Sequence, residues 1–460
     1  MKTLTGLCSL ACLLLFCSQA FAQADENTEL TALREEIRLM RSEYETRIAD
    51  LEARLDAAEK REAGTPAGQG AAAPASESYA ATAYSSPQTV SVARDNSFNP
   101  AIGVTFQGQA WAYSNDPDDY VIPGFPLAGE AGLADEGMSL AETEITMSAN
   151  VDDKFTAMLN LPVAVEDGEV SVELEEAWVE TLSLPAGLAI RMGRFLSDIG
   201  YLNSRHFHAW DFADLPLAYQ AFLGGQYGDD GLQFRWLAPT DFYLEFAAEV
   251  LRGGSYPAQG KPNSLVGSTT LSARTGGDVG FSNSWLAGFS WLHADADERP
   301  SGFEDNPLFF TGETDIYIAN FIWKWAPNGN WREKNLTIQA EYLWRNEDGA
   351  YAFDNAAGRP WDHNASGWYA QAVYLPFPRW RVGARIDRLH GDFPGQAWQG
   401  TPLYPMGDDP KRYSLMVDWS NSEFSRLRFQ YNHDQATGMT DNQFALQYIF
   451  SIGAHGAHTF

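Results

Sequence analysis

The stretch that most restricts what this chain can fold into is Asn442 to Phe460, NQFALQYIFSIGAHGAHTF. Phe444, Leu446, Tyr448, Phe450, Ile452 and Ala454 occupy alternate positions, with Gln447, Ser451, Gly453, His455 and Thr459 between them. A period of two places the first set on one face of an extended strand and the second on the other. A water-soluble sheet has little use for three large aromatics on an outer face. A strand of a membrane barrel needs apolar side chains toward lipid, aromatics near the interfaces and polar side chains toward the lumen.

From Phe98 onward the same alternation recurs in roughly sixteen short segments. Examples are Ile102-Val104-Phe106, Ala157-Leu159-Leu161-Val163, Leu232-Phe234-Trp236, Trp285-Ala287-Phe289-Trp291, Leu336-Ile338-Ala340-Tyr342-Trp344 and Tyr413-Leu415-Val417-Trp419. The row Val170-Val172-Leu174 slips at Glu175-Glu176 and resumes at Ala177-Val179, which predicts a bulge. Connections mostly alternate in length, the Glu166-Asp167-Gly168 hairpin being the exception. Short turns occur at Val151, Leu184, Leu237, Ala326, Pro376 and Ser420, whereas long polar ones cover 115–137, 197–227, 252–264, 294–311, 346–365 and 391–411. Tight turns at one end and large loops at the other are the outer-membrane arrangement. The negative mean hydropathy fits, because only alternate residues face lipid. No blade-length repeat supports a propeller. The fold class expected is therefore all-β, a transmembrane antiparallel barrel of about sixteen strands over 98–460, with water inside the cylinder.

The first ninety-odd residues read differently. Lys2, the apolar run Leu10 to Phe16 and Ala20-Phe21-Ala22 form a signal peptide over 1–22, its apolar core too short to span a bilayer. All three cysteines, Cys8, Cys12 and Cys17, fall inside it, so the mature chain has no disulfide and no thiolate chemistry. Over 25–62, Leu30, Leu33, Ile37, Met40, Tyr44, Ile48, Leu51, Leu55 and Ala58 follow steps of three and four with one stutter near Tyr44. This predicts an α-helical coiled coil reaching about 40 Å into the periplasm, able to contact peptidoglycan, a periplasmic partner or its own copies. Residues 63–97, rich in Ala, Gly, Pro and Ser, are expected to be a linker.

Two hairpins carry a family resemblance. LEEAWVETLSLPAGLAIRMGRF, Leu174 to Phe195, and GWYAQAVYLPFPRWRVGARIDRLHG, Gly367 to Gly391, resemble phosphate-selective-type (porin O/P-like) outer-membrane porins. Asp418 to Asp434 with the strand after it resembles the porin C-terminus, and a final Phe460 resembles the signal read by the insertion machinery. The resemblance implies a sixteen-stranded homotrimeric channel in the Gram-negative outer membrane, with 197–227 as an inward-folded constriction loop. Similar-looking barrels occur among proteins linked with zinc limitation. The formal charge of −30 departs from phosphate-binding members, since a negative field repels phosphate and attracts cations. It also argues against nucleic acid as a partner.

Inward rows nominate lumen residues: Glu142, Glu144, Glu173, Glu245, Glu249 and Glu341 against Arg191, Arg235, Arg345, Arg381, Arg385 and Arg428. Opposed charges would set up a transverse field, or simply hydrate the lumen through cross-strand pairs. Within the third loop, His206, His208, Asp211 and Asp214 are suitable zinc or copper ligands, with His455 and His458 near the end of the chain; packing and hydrogen bonding are the alternative role. Carboxylate pairs such as Glu175-Glu176 read as a solvated strand edge. There is no G-x-S-x-G, H-E-x-x-H or P-loop motif, so no enzyme and no resident cofactor are expected, zinc entering only as cargo. A passive, cation-preferring diffusion channel is the leading expectation. A zinc-uptake channel and a barrel that merely anchors the coiled coil are the alternatives.

Overall fold

In the computed structural model, residues 100–453 are described, apart from 129–130, 167–168, 261–264, 302–307 and 354–357. The expected signal peptide, coiled coil and linker, together with His455 and His458, lie outside them. Alternating patterning produces eighteen strand segments among the described residues, joined in one sheet. They are β1 (Ala101–Ala112), β2 (Gly137–Leu140), β3 (Thr143–Asn150), β4 (Phe155–Glu166), β5 (Glu169–Val172), β6 (Glu176–Thr181), β7 (Leu188–Leu196), β8 (Gly228–Leu237) and β9 (Tyr243–Leu251). The second half comprises β10 (Ser268–Val279), β11 (Asn283–Ser301), β12 (Leu308–Trp325), β13 (Asn335–Phe353), β14 (Arg359–Phe377), β15 (Trp380–Gly391), β16 (Lys411–Ser422), β17 (Ser425–Asp434) and β18 (Asp441–Gly453).

Two pairs of segments are single ribbons interrupted by bulges. β2 and β3 both pair with β1, and β5 and β6 both pair with β4, so eighteen segments make sixteen antiparallel ribbons. The second interruption falls at the expected slip. Val163 pairs with Val172 and Asn160 with Glu176, leaving three residues opposite two. The sheet closes where β1 meets β18, with Gly103 opposite Gly453 and Ala112 opposite Phe444. Closure leaves no unpaired edge, which is what a sheet in hydrocarbon requires.

The rows predicted to face outward do so. Phe106, Leu232, Phe234, Leu271, Phe289, Phe321, Leu415, Phe429, Leu446 and Ile452 are exposed, while inward neighbours such as Gln107, Gln233, Ser290, Gln430 and Gln447 are covered. Aromatics mark two levels. Trp291 pairs with Tyr317, which pairs with Trp344; further down, Trp285 pairs with Trp323 and Trp380 with Trp419. Beyond the upper level the outward row turns polar: Asp315 and Glu313 on β12, Asn346 and Asp348 on β13, Ser366, Asn364 and Asp362 on β14. The apolar band is therefore bounded as a bilayer would bound it.

Two expectations need correcting. The segments 294–311 and 346–365 are mostly strand, because β11 to β14 run 18 or 19 residues each. A membrane crossing takes only about 9–11 residues. Above the band the pattern inverts: polar side chains face out, and Ala296, Leu308, Phe310, Tyr351 and Trp361 pack inside with Trp398 and Leu403. Polar residues there are strand in water, which composition alone reads as loop. Nor is the cylinder simply water-filled. Leu292, Ile316, Ile318, Leu343, Tyr369 and Leu389 form an apolar lining on part of the inner wall, covered by the third loop and by Tyr120, Ile122 and Phe125 of the first.

A charge on the outer row tests the band. Leu415→Arg, at mid-strand, is expected to destabilise the barrel in lipid vesicles by about 2–4 kcal/mol, and Asn346→Arg, above the aromatics, by less than about 1 kcal/mol. Urea titration of the vesicle-inserted protein measures both.

Candidate functional site

The third loop, between β7 and β8, folds into the barrel as the family resemblance implied. It holds a short 3₁₀ turn at Phe207–Ala209 and the helix α1 (Leu217–Leu223), all seven of whose residues are buried. LAYQAFL is apolar on nearly every side, so the helix is stable only when enclosed. Pro216 precedes it, and Gly224 closes it at φ 67°, where a side chain would meet the Ala128 carbonyl oxygen.

Side chains from most of the wall hold the loop. Glu249 on β9 accepts from the Ser197 hydroxyl, the Asp198 amide at 2.9 Å, Gln233 at 2.7 Å and Thr270 at 2.7 Å. Glu341 on β13 accepts from the amides of Tyr201 (2.9 Å) and Leu202 (3.1 Å) and from the hydroxyls of Tyr219 (3.1 Å) and Tyr369 (2.5 Å). Arg345, on the same strand, donates to the Ala221 carbonyl at 2.9 Å. Asp198 pairs with Arg274 of β10 at 2.5 Å. Across the lumen Asp211 pairs with Arg381 of β15 at 2.7 Å, and Arg428 of β17 donates to the Trp210 carbonyl at 2.7 Å. Asp214 meets Arg385 at 2.8 Å and Arg412 at 3.0 Å, and accepts from Gln430 and Asn432. Asp387 of β15 accepts the first amide of α1, from Leu217, at 3.1 Å.

These contacts are charge-assisted and shielded from water, where each is worth about 1.5–3 kcal/mol and a lost partner costs more. Burial works to raise the pKa of Asp214, but Arg385 and Arg412 outweigh it and hold the group below the ordinary carboxyl range. Partial burial likewise works against the Asp198 carboxylate, yet Arg274 and Arg235 keep its pKa low.

The twelve nominated lumen residues thus divide. Glu144, Glu249, Glu341, Arg345, Arg385 and Arg428 are buried, and all six contact the loop or its carboxylates. Arg191 and Arg235 share Glu180, Arg191 lying 4.0 Å over the Trp178 ring. Glu245 and Arg381 are half-buried, Glu142 is half-buried at the break before β3, and Glu173 is exposed at the break before β6. Facing rows of opposite sign are not what forms: acids and bases are interleaved through the loop. Sequence reasoning missed Asp198, which lies in the loop itself, and Arg274, Asp387, Arg412, Asp418, Arg426 and Gln430, whose only signal was membership of inward rows.

The four candidate metal ligands separate as well. Asp211 and Asp214 go to arginines. His206 and His208 turn instead to Glu144 of β3, at 3.8 Å and 2.7 Å. His206 also meets Glu176 at 2.7 Å and Glu175 at 3.7 Å. Glu175 and Glu176 are not a solvated edge: Glu176 is buried, and the bulge lets both acids address one histidine. Burial alone would lower the His206 pKa, but the hydrogen bond to Glu176 and the charges of Glu176, Glu144 and Glu175 raise it to about 10.

No family model matches the chain. A protein of Aquifex aeolicus (strain VF5), described only as uncharacterized, is 32% identical over 345 residues, covering 70% of each chain. The chain belongs to that protein's family. Among solved structures, the outer-membrane channel DcaP of Acinetobacter baumannii is similar over 77% of this chain and 97% of its own, at 11% identity and TM-score 0.49. Salmonella typhi OmpF covers the same shares at 10% identity and TM-score 0.48. An anion-selective porin from Comamonas acidovorans covers 77% and 99% at 9% and 0.46. The barrel of this family member rests on its own strand pairing.

Two outcomes follow for the docked loop. Glu341→Leu strands four donors, so amide exchange over 198–223 is expected to quicken by about a hundredfold or more, the equivalent of about 3–5 kcal/mol; mass spectrometry of exchanged peptides reads it. Because the Asp198 and Asp214 pKa values are depressed, their docking contribution is complete above about pH 4 and is lost as pH falls through the lowered values. Exchange of the peptide around Asp214, corrected for its intrinsic rate, should be faster at pH 3 than at pH 5.

Proposed function

We propose that the chain is a passive diffusion channel of the Gram-negative outer membrane for small hydrophilic solutes and ions, its width set by the third loop. The observation that carries this reading is a closed barrel with an apolar outer band and an inner face of charged and amide side chains, into which a long loop is folded and pinned. A barrel meant only as an anchor has no use for so many lumenal charges. No catalytic role is assigned to them, since the acids and bases are engaged in holding the loop.

A preference for cations is supported by the exposed acids of the long connections and strand tips, among them Asp116, Asp118, Asp119, Asp135, Glu136, Asp297, Glu298, Asp362, Asp408 and Asp409. They concentrate cations at the mouth and repel anions. Assembly as a homotrimer is part of the proposal. The segments β3 to β9 have 4 to 12 residues against 18 or 19 in β11 to β14, so one wall is low and leaves room for a neighbouring copy. Uptake of divalent metal is the second reading, favoured by the His206 and His208 pair; a tether acting through the residues before the barrel is the third.

Planar-bilayer recording separates these. Wild-type protein should give small, stepwise, cation-preferring currents, and replacing 205–224 with a short Gly-Ser linker should raise conductance several-fold. Absence of current from both forms would sink the channel reading and leave the tether.

A further inference from the structure

We propose that Glu144, His206 and His208 form a binding site for a single divalent transition ion of the zinc class, which clips the third loop to strand β3. The inference concerns binding and stands whether or not the barrel conducts.

The donor set is the first argument. One nitrogen from each histidine and a carboxylate oxygen of Glu144 all lie within 4.8 Å of one another. Glu144 is 1% exposed and supplies one oxygen to each ring, at 2.7 Å from His208 Nδ1 and 3.8 Å from His206 Nδ1. Two imidazoles and a carboxylate are a known ligand combination for zinc, with metal–ligand distances of about 2.0–2.2 Å and a fourth position left for water or a further group. At a tetrahedral centre that spacing implies donors roughly 3.3 Å apart, so binding draws the two rings and Glu144 inward from their present separations.

A second feature lies behind the donors. The far nitrogen of His206, Nε2, is held by Glu176 at 2.7 Å, and Glu176 is itself fixed by the Trp178 indole at 2.8 Å. When an ion displaces the second ring proton, donation of Nε2–H to the buried Glu176 leaves Nδ1, on the Glu144 side, as the ligating atom. Such a carboxylate behind a histidine is how metal sites fix the tautomer and raise ligand basicity. Glu144 is steadied in turn by Asn160 at 3.4 Å and Gln107 at 3.5 Å.

Charge is the third. Glu144, Glu175 and Glu176 crowd one another in a poorly hydrated place, and a dication among them offsets what would otherwise be costly. Soft nitrogen donors select the zinc class over magnesium and calcium, which take oxygen ligands. Because both histidines belong to the loop and Glu144 to the wall, an ion here adds coordinate bonds to the hydrogen bonds, ion pairs and apolar packing that hold the loop.

The test uses the full chain, refolded in detergent and stripped with EDTA, titrated calorimetrically with ZnCl2 at neutral pH. The expected result is one saturable ion per chain, absent with MgCl2. His208→Ala and Glu144→Gln should each weaken binding at least tenfold, and Glu176→Gln, which removes no ligand, by about 10–100-fold. His455→Ala with His458→Ala should leave the fitted site unchanged. No saturable zinc binding, equal binding of magnesium, or indifference to both His208→Ala and Glu144→Gln would overturn the proposal. If a variant fails to fold, CoCl2 with wild-type protein decides: an intense visible spectrum of four-coordinate cobalt supports the site, and only the weak octahedral spectrum overturns it.

Discussion

Hydrocarbon offers no partner for a peptide group, and that constraint governs everything else in this molecule. Each strand must give its hydrogen bonds to neighbours, and the last must give them to the first. The pairing of β1 with β18 meets this over ten consecutive residue pairs, Gly103 to Ala112 against Gly453 to Phe444. Once the sheet is closed, a side chain has only two directions to point. Leu446 goes to the outer surface and Gln447 to the interior because the pleat alternates, and a one-residue slip would exchange them. The two bulges modify this rule locally. The break at 175–176 turns two consecutive acids to the same side, and the cluster around His206 exists because of it.

The interior is governed by a different balance. Enclosing arginines and carboxylates is costly unless each is paired and its remaining hydrogen-bonding capacity used. The third loop supplies partners by threading its own carboxylates, amides and carbonyls among charges on the wall. Asp214 between Arg385 and Arg412 and Glu341 beneath Tyr201, Leu202 and Tyr219 are the firmest of these arrangements. The apolar helix α1 adds a hydrophobic component, packing on Leu292, Ile316, Leu343 and Tyr369. The loop therefore belongs to the structure of the lumen, and any solute that crosses does so past a surface that the loop and wall make jointly.

Much of the architecture was legible because it depends on local periodicity. The outward rows, the slip after Leu174 and the alternation of short and long connections all follow from residue order, while the inward placement of 197–227 came from the family resemblance. The strand extensions of β11 to β14 were read as loops, since above the bilayer the outward row carries Asp315, Asn346 and Asp362 and no greasy stripe remains to announce a strand. Helix α1 was missed although Pro216 and Gly224 bracket it, because its seven residues show no amphipathic period. At the candidate site the two histidines were identified, but Asp211 and Asp214 were grouped with them by proximity in the chain. The loop's course takes those two acids to arginines instead.

By itself the order of residues determined that this is a closed barrel with a lipid-facing band, because alternation is a property of one strand and needs no knowledge of its neighbours. Only the tertiary structure decided which charges meet. Glu144 is 62 and 64 residues from the histidines it faces, and Arg412 is nearly 200 from Asp214. Such pairs are set by barrel curvature and by the path of one loop through the lumen, neither of which has a periodic trace in the sequence.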